Sequence, residues 1–209
     1  GAPRRYCFIR GGDESGYDMD GVEFAEKLAS VTLIGNSFEN NQENVALGTK
    51  GTYSVNASGN WWGTTDRADL VASMDARADF TPYLSNNQDL EEAAGFQADF
   101  SDLIVLSDGE QIGDETRIQE ALGMVDSGGT VNVLNGTYGE GYQIVIDKDV
   151  NLTGESRDGV IITPTTNTGT LDDARGWFLT DAESTFNLNN LTMDGAGKQI
   201  FTAIRSNGP

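Results

Sequence analysis

Short segments in which apolar and polar residues alternate, each closed by glycine or asparagine, constrain the fold of this chain more than any other feature. Val131-Asn-Val-Leu134 and Gln143-Ile-Val-Ile-Asp147 are clear examples. A period of two is the pattern of a β-strand with one buried face. Glycine is the most frequent residue, at 26 of 209, and supplies the positive-φ turns that many short strands need. The pattern predicts a folded, turn-rich all-β protein.

The predicted strands recur along most of the chain. The first half holds three strand-and-turn units, at Val31–Phe38, Asn44–Gly48 and Thr52–Asn60. The second half is expected to form strands at Thr130–Leu134, Tyr142–Ile146, Val150–Thr153, Val160–Thr163, Trp177–Thr180, Thr185–Met193 and Ile200–Ile204. Short strands that recur this often along a chain are typical of a sandwich, a barrel or a solenoid. Asparagine-rich turns favour the solenoid, because stacked side-chain amides hydrogen-bond from one coil to the next.

Three triplets support that interpretation. Val131-Asn-Val133, Val150-Asn-Leu152 and Phe186-Asn-Leu188 share one pattern at irregular intervals. We interpret them as one structural position that recurs in stacked coils with loops of unequal length.

Two helices are predicted among the strands. The first covers residues 65–75, with Thr65 or Asp66 as its N-cap. The second covers residues 116–125, with Asp114 available as the cap and Gly128 and Gly129 ending it. Between them, the acidic stretch from Ser85 to about Gly113 is expected to be a linker or an irregular cover.

The second half of the chain resembles the opening of pectin-lyase-like parallel β-helix proteins. The resemblance rests on the order of Ile118-Gln-Glu-Ala-Leu122, Gly128-Gly-Thr-Val-Asn-Val-Leu-Asn-Gly-Thr-Tyr138, Ile144-Val-Ile-Asp-Lys-Asp-Val-Asn-Leu-Thr-Gly154 and Val160-Ile-Ile162. In that family an amphipathic helix caps the first coil, so the resemblance implies a right-handed parallel β-helix, a solenoid, with short capping helices.

The first half is similar to the closing segment of right-handed β-helix repeat proteins, including the NosD-like group. Asn56-Ala-Ser-Gly-Asn-Trp-Trp-Gly63 and Asp79-Phe-Thr-Pro-Tyr-Leu84 carry this resemblance. It implies that residues 1–84 are the last coils and cap of one β-helix, 85–108 an acidic linker, and 109–209 the cap helix and first coils of a second. We therefore expect an excerpt of a longer protein that spans two tandem domains.

Charge and residue usage narrow the function. Thirteen basic against 33 acidic residues give a formal net charge of -20, which argues against nucleic acid as a partner because phosphates would be repelled. The chain has no His and one Cys, Cys7, so Ser-His and Cys-His catalysis, an internal disulfide and a cysteine zinc site are excluded. No apolar run is long enough to cross a bilayer.

The candidate binding residues each have a plain structural alternative. Asp18, Asp20 and Gly21 match the middle of a calcium loop, but Gly16 and Lys27 occupy its ends, so an ordinary acidic turn is the favoured reading and a calcium ion the alternative. Trp61 and Trp62 are candidates for a sugar-stacking platform. The alternative, which we favour, is that they cover the exposed end of the last coil. The role of Trp177 is left open.

Scattered carboxylates and amides offer no defined catalytic set. Glu140 follows a motif similar to the early strands of pectin methylesterases, whose catalytic aspartates lie in later coils. Asp147, Asp149, Asp181 and Asp194 could pair for glycoside hydrolysis or bind calcium in a lyase. Their spacing alone places no two of them on one face, so we expect them to be solvated turn residues. Asn56, Asn135, Asn151 and Asn190 begin sequons that an asparagine-rich solenoid also produces by chance. The sequence identifies no catalytic residue, no metal ligand and no cofactor beyond the calcium alternative.

Two functions remain open. The first is a secreted or cell-surface module, non-catalytic in this stretch, for adhesion, surface structure or contact with a polysaccharide or cell-surface glycan. The second, which rests on the resemblance alone, is a polysaccharide lyase or glycoside hydrolase whose active-site coils lie mostly outside this chain.

Overall fold

The protein is all-β in the part of the chain that the structure describes. The computed structural model describes residues 31–47, 54–92, 94–141 and 143–207. These residues form fourteen short strands, two α-helices and one short 3-10 helix. The chain divides into two compact units, unit 1 (Gly1–Ala98 and Asp108–Ile112) and unit 2 (Asp99–Ser107 and Gly113–Pro209). No helix within the described ranges is long and apolar enough to span a membrane.

Unit 1 contains a three-stranded parallel sheet. Its strands are β1 (Val31–Thr32), β2 (Val55–Asn56) and β3 (Ala78–Asp79), and a fourth strand, β4 (Tyr83–Leu84), follows. Val31 pairs with Val55, which pairs with Ala78. Successive strands thus recur after 24 and 23 residues with apolar positions in register.

Helix α1 (Arg67–Ala72) lies between β2 and β3 and is shorter than the sequence predicts. Of the two predicted caps, Asp66 is the actual one, since its Oδ1 accepts hydrogen bonds from the backbone N–H groups of Ala68 at 2.9 Å and Asp69 at 3.1 Å. Leu70 is fully buried and anchors the helix in the core of unit 1.

The strands of unit 2 form three parallel sheets. They are β5 (Asp102–Val105), β6 (Thr130–Val133), β7 (Gly136–Glu140), β8 (Ile144–Ile146), β9 (Val150–Gly154), β10 (Val160–Pro164), β11 (Gly176–Thr180), β12 (Phe186–Asn189), β13 (Thr192–Met193) and β14 (Thr202–Ser206). One sheet has the order β12-β9-β6-β5, the second β13-β10-β7 and the third β14-β11-β8. Each successive group of three strands, from β6 onward, gives one strand to each sheet.

The register aligns the apolar side chains of neighbouring strands. Leu103 pairs with Val131, Val131 with Leu152, and Leu152 with Leu188. The first three are fully buried, whereas Leu188 on β12 is only half-buried. Burying such a side chain contributes about 1.5–3 kcal/mol, so this column is a principal source of stability in unit 2.

Polar side chains also connect neighbouring strands, as the asparagine-rich turns predict. In unit 2 the Asn187 amide donates to Asn151 Oδ1 at 2.9 Å. In unit 1 the Asn36 amide donates to Asn60 Oδ1 at 3.0 Å. The fully buried Asn60 donates in turn to the carbonyls of Leu33 and Ala57 at 2.8 and 2.7 Å, so its amide joins two turns of unit 1.

Helix α2 (Arg117–Met124) packs against β5, β7 and β8 in unit 2. Ile118, Ala121 and Leu122 are buried, so the helix turns an apolar face toward these strands. The predicted cap, Asp114, is wrong, because the helix begins after Thr116 and no side chain of its own segment caps it. The carboxylate of Glu140 on β7 fills that role.

Other predictions about unit 2 require correction. Residues 102–105, expected to lie in the linker, form β5, because Leu103-Ile-Val-Leu106 is a buried apolar run. The strand predicted at Thr185–Met193 is interrupted at Asn190, whose φ is 54°. The Val131 triplet is displaced by two residues from the other two triplets, since Thr130 rather than Asn132 pairs with Asn151.

Candidate functional site

A polar cleft in unit 1 is a candidate site among the described residues. It encloses about 310 Å³ and lies beside helix α1. Its lining includes Asn40, Asn41, Gln42, Asn44, Thr64 and Ser73, together with the carboxylate of Asp69. We call this set the asparagine cleft. Amides and hydroxyls both donate and accept hydrogen bonds, so the lining suits a ligand rich in hydroxyl groups.

The floor of the cleft is fixed by Asn44, which is buried. Its Nδ2 donates to Ser73 Oγ at 2.9 Å and to the Trp62 carbonyl at 3.3 Å, and its Oδ1 accepts from Asn41 at 3.3 Å. Ser73 Oγ donates to the Leu70 carbonyl at 2.8 Å. This network holds the floor in one geometry, whereas Asn40 and Asp69 are exposed at the rim.

The rim depends on a tight turn at Gly63. Its φ is +80°, and a Cβ at this position would lie 3.1 Å from the Phe38 carbonyl oxygen and 3.6 Å from Glu39 Cα. Any other residue would be strained at this positive φ and would crowd the Phe38 carbonyl. Beneath this turn, the rings of Phe38 and Trp62 stack with their centroids 4.8 Å apart and planes inclined by 17°.

Trp61, Glu39 and Asn87 form a second polar group next to that turn. Glu39 Oε1 accepts hydrogen bonds from Trp61 Nε1 at 3.2 Å and from Asn87 Nδ2 at 2.6 Å. Trp61 is half-buried and the carboxylate is exposed. The hydrogen bond to Glu39 therefore orients an indole ring that keeps part of its surface in solvent.

The structure separates the two tryptophans that the sequence treats together. Trp62 is 2% exposed, and its Nε1 donates to the Phe80 carbonyl at 3.2 Å, so it belongs to the core. Of the pair, Trp61 alone has accessible ring surface for a ligand. Trp177 is also buried, in unit 2, with its ring in edge contact with that of Phe178.

Glu140, which the sequence leaves without a role, caps helix α2. Its fully buried carboxylate accepts hydrogen bonds from Thr116 Oγ1, from the Ile118 N–H at 3.0 Å and from the Gln119 N–H at 3.4 Å. Burial raises the pKa of Glu140, an effect larger than the lowering caused by these hydrogen bonds. At the other end of the helix, Lys148 Nζ donates to the Gly123 and Val125 carbonyls.

The remaining carboxylates that the sequence singles out do not converge on one place. Asp149 accepts from the Thr185 N–H at 2.6 Å, and Asp194 from the Ala196 N–H at 2.9 Å. Hydrogen bonds from the Glu183 and Ser184 backbones and the Ser184 hydroxyl lower the pKa of Asp181. Asp181 and Asp194 are therefore turn residues in unit 2, whereas Asp149 bonds to a segment 36 residues later and Asp147 is exposed.

The sequon asparagines of unit 2 also have turn and ladder partners. Asn190 donates to the Gly154 carbonyl at 2.9 Å, Asn151 to the Gly129 carbonyl at 3.1 Å, and Asn135 Oδ1 accepts from Ser156 at 2.7 Å. In unit 1, Asn56 Oδ1 accepts from the Ser58 N–H at 3.3 Å.

Two candidates lie outside the described residues. These are the acidic loop at residues 13–23, with Asp18, Asp20 and Gly21, and the single cysteine, Cys7. Within the described ranges, no three His, Cys, Asp or Glu side chains are grouped so that they could hold a metal ion.

Comparison of the chain with protein-family models, with curated proteins and with solved structures finds no match.

Proposed function

We propose that this chain is part of a secreted or cell-surface right-handed parallel β-helix protein that contacts carbohydrate without transforming it in this stretch. The observation that carries the proposal is the asparagine cleft, with its amide and hydroxyl lining on a floor that Asn44 holds in place. A sugar presents several hydroxyls close together, and each both donates and accepts. The amides and hydroxyls of the cleft also donate and accept hydrogen bonds, so they can bind such a group of hydroxyls.

The strand order of unit 2 supports the β-helix part of the proposal. From β6 onward, the three strands of each consecutive group belong to three different parallel sheets. Stacked coils of a solenoid produce this order, with each coil burying its apolar side chains against the neighbouring coils. The resemblance to pectin-lyase-like proteins, whose β-helices act on or contact polysaccharides outside the cell, supports the location and the kind of ligand.

Binding and turnover should be measured together. The chain is titrated calorimetrically with oligosaccharides six sugars long, with and without calcium, and the mixtures are assayed for new reducing ends and unsaturated products. We expect binding without product. Product formation would support the lyase or hydrolase alternative, and the absence of binding to every sugar tested would overturn the proposal.

Asn40→Gly is the informative variant. Asn40 has a φ of 57°, so glycine keeps the backbone conformation and removes only the amide from the rim. Asn190→Gly is a matched control, because Asn190 has a φ of 54°, belongs to unit 2 and is not among the residues that line the cleft. We expect Asn40→Gly to weaken binding about tenfold and Asn190→Gly to leave it unchanged.

A further inference from the structure

Among the described residues, the charged side chain that lines the asparagine cleft is acidic, and a second acidic residue adjoins it. Asp69 lines the cleft itself. Glu39 adjoins it, since its Cα lies 3.6 Å from the position of a Cβ on Gly63, another lining residue. Both carboxylates are exposed. An anionic ligand placed here would meet two negative charges.

The arginines of residues 54–92 are engaged elsewhere. Arg67 Nη2 lies 2.6 Å from Asp108 Oδ2, and Arg77 Nη2 lies 2.8 Å from Asp75 Oδ2. Neither side chain is part of the cleft lining. A carboxylate-bearing sugar is usually held by the forked donors of arginine or by lysine, and the described lining offers neither.

Hydrogen bonding and ring stacking at this site favour an uncharged sugar instead. Exposed carboxylates accept hydrogen bonds from sugar hydroxyls, and the amides of Asn40 and Asn41 can do either. The ring of Trp61, oriented by its 3.2 Å hydrogen bond to Glu39, can stack on the apolar face of a pyranose. The same carboxylates that repel an anion therefore contribute to recognition of an uncharged sugar.

We infer that the asparagine cleft and Trp61 select neutral sugars over uronic acids. This inference rests on the proposed function and specifies its ligand class. It also departs from the resemblance to pectin-lyase-like proteins, whose namesake substrate is an acidic polysaccharide.

The test is calorimetric titration with cellohexaose, xylohexaose and mannohexaose on one side and hexagalacturonate on the other, at 20 mM and 500 mM NaCl. We expect at least one neutral hexasaccharide to bind about tenfold or more tightly than hexagalacturonate at low salt. The difference should shrink at high salt, because screening reduces the repulsion of the anion. Equal or tighter binding of hexagalacturonate at low salt overturns the inference.

Asp69→Asn isolates the charge of the cleft. We expect this variant to bind hexagalacturonate severalfold more tightly than the wild type and the neutral sugar more weakly, because the amide keeps one acceptor oxygen but loses the charge that strengthens its hydrogen bonds. Asp147→Asn is the matched control, since it removes one exposed carboxylate from unit 2 and should leave both affinities unchanged. Equal effects of the two substitutions on hexagalacturonate binding would assign the discrimination to net charge and overturn the role of the cleft.

The inference and the proposed function fail in different ways. If hexagalacturonate binds at the cleft and neutral sugars do not, the carbohydrate function stands and the ligand class is wrong. If no hexasaccharide binds at either salt concentration, both are wrong.

Discussion

The buried carboxylate of Glu140 accepts a hydrogen bond from the backbone N–H of Ile118, 22 residues earlier in the chain, at 3.0 Å. It thereby satisfies a donor at the start of α2 that the helix cannot satisfy internally, and it places a negative charge at the positive end of the helix dipole. Lys148 complements the other end with its 2.8 Å hydrogen bond to the Gly123 carbonyl. Two charged side chains from unit 2 thus fix α2 at both ends.

Glu140→Gln should change how the stability of the protein depends on pH. Because burial raises the folded-state pKa of Glu140 above that of the unfolded chain, the folded state binds the extra proton between the two values. The free energy of unfolding of the wild type should therefore fall relative to that of Glu140→Gln as pH rises from 4 through the raised pKa. Urea unfolding of both proteins between pH 4 and 8 measures this. A pH-independent difference would contradict the assignment.

Removing the Glu140 side chain altogether should be much more costly. Glu140→Ala leaves Thr116 Oγ1 and the Ile118 and Gln119 N–H groups without this partner, which we expect to lower the free energy of unfolding by about 2–4 kcal/mol. Lys148→Met should cost only about 0.5–1 kcal/mol, since Gly123 at that end is exposed and water can replace the lysine at its carbonyl. Chemical denaturation monitored by circular dichroism compares the two. A larger loss for Lys148→Met would show that the C-terminal contact dominates.

Asp75→Asn should produce the opposite pH dependence in unit 1. The hydrogen bonds from the Arg77 guanidinium, followed by the backbone N–H groups of Arg77 and Leu47, lower the pKa of Asp75 to about 2. Its stabilisation is present above the unfolded pKa near 4 and is lost as pH falls through about 2. We expect the variant to be less stable than the wild type by about 1–2 kcal/mol at pH 6, with the gap closing at pH 2. Urea midpoints at both pH values check this, and a gap that persists at pH 2 would contradict it.

Leu152→Ala should test the apolar column of unit 2. Leu152 is fully buried between Val131 and Leu188, so truncation leaves a cavity and should cost about 2–5 kcal/mol. Leu188→Ala is the matched comparison, and it should cost less because Leu188 is already half-exposed on β12. Thermal unfolding of the two variants gives the order directly. Equal losses would argue against the observed difference in burial.

The sequence predicts the strands of unit 2 well where alternation is strong. Val150-Asn-Leu152 and Phe186-Asn-Leu188 occupy equivalent positions, as their shared pattern predicts. The Val131 triplet does not, because turn length fixes the register and a local pattern of period two cannot reveal a shift by two residues. Strand β7 is missed because Gly136-Thr-Tyr-Gly-Glu140 contains one large apolar side chain, and its strand conformation depends on pairing with β10.

The candidate site is less predictable than the strands. Asn40-Asn-Gln42 is visible in the sequence as a polar turn, but its partners Thr64, Asp69 and Ser73 come from the segment around α1 and reach the same cleft only after folding. Glu140 is hidden for the same reason, since the start of the helix it caps lies more than twenty residues earlier in the chain. Of the two tryptophans that sequence reasoning singles out, the buried Trp62 lines the cleft, whereas the half-buried Trp61 is not among the lining residues.

The most direct test of carbohydrate contact at the cleft is side-chain amide NMR of the chain titrated with a neutral hexasaccharide. The account predicts shifts in the amide signals of Asn40, Asn41 and Gln42 and in the indole N–H of Trp61, with those of Asn151 and Asn187 in unit 2 unmoved. Binding that shifts the unit 2 amides and leaves the cleft signals in place would contradict it.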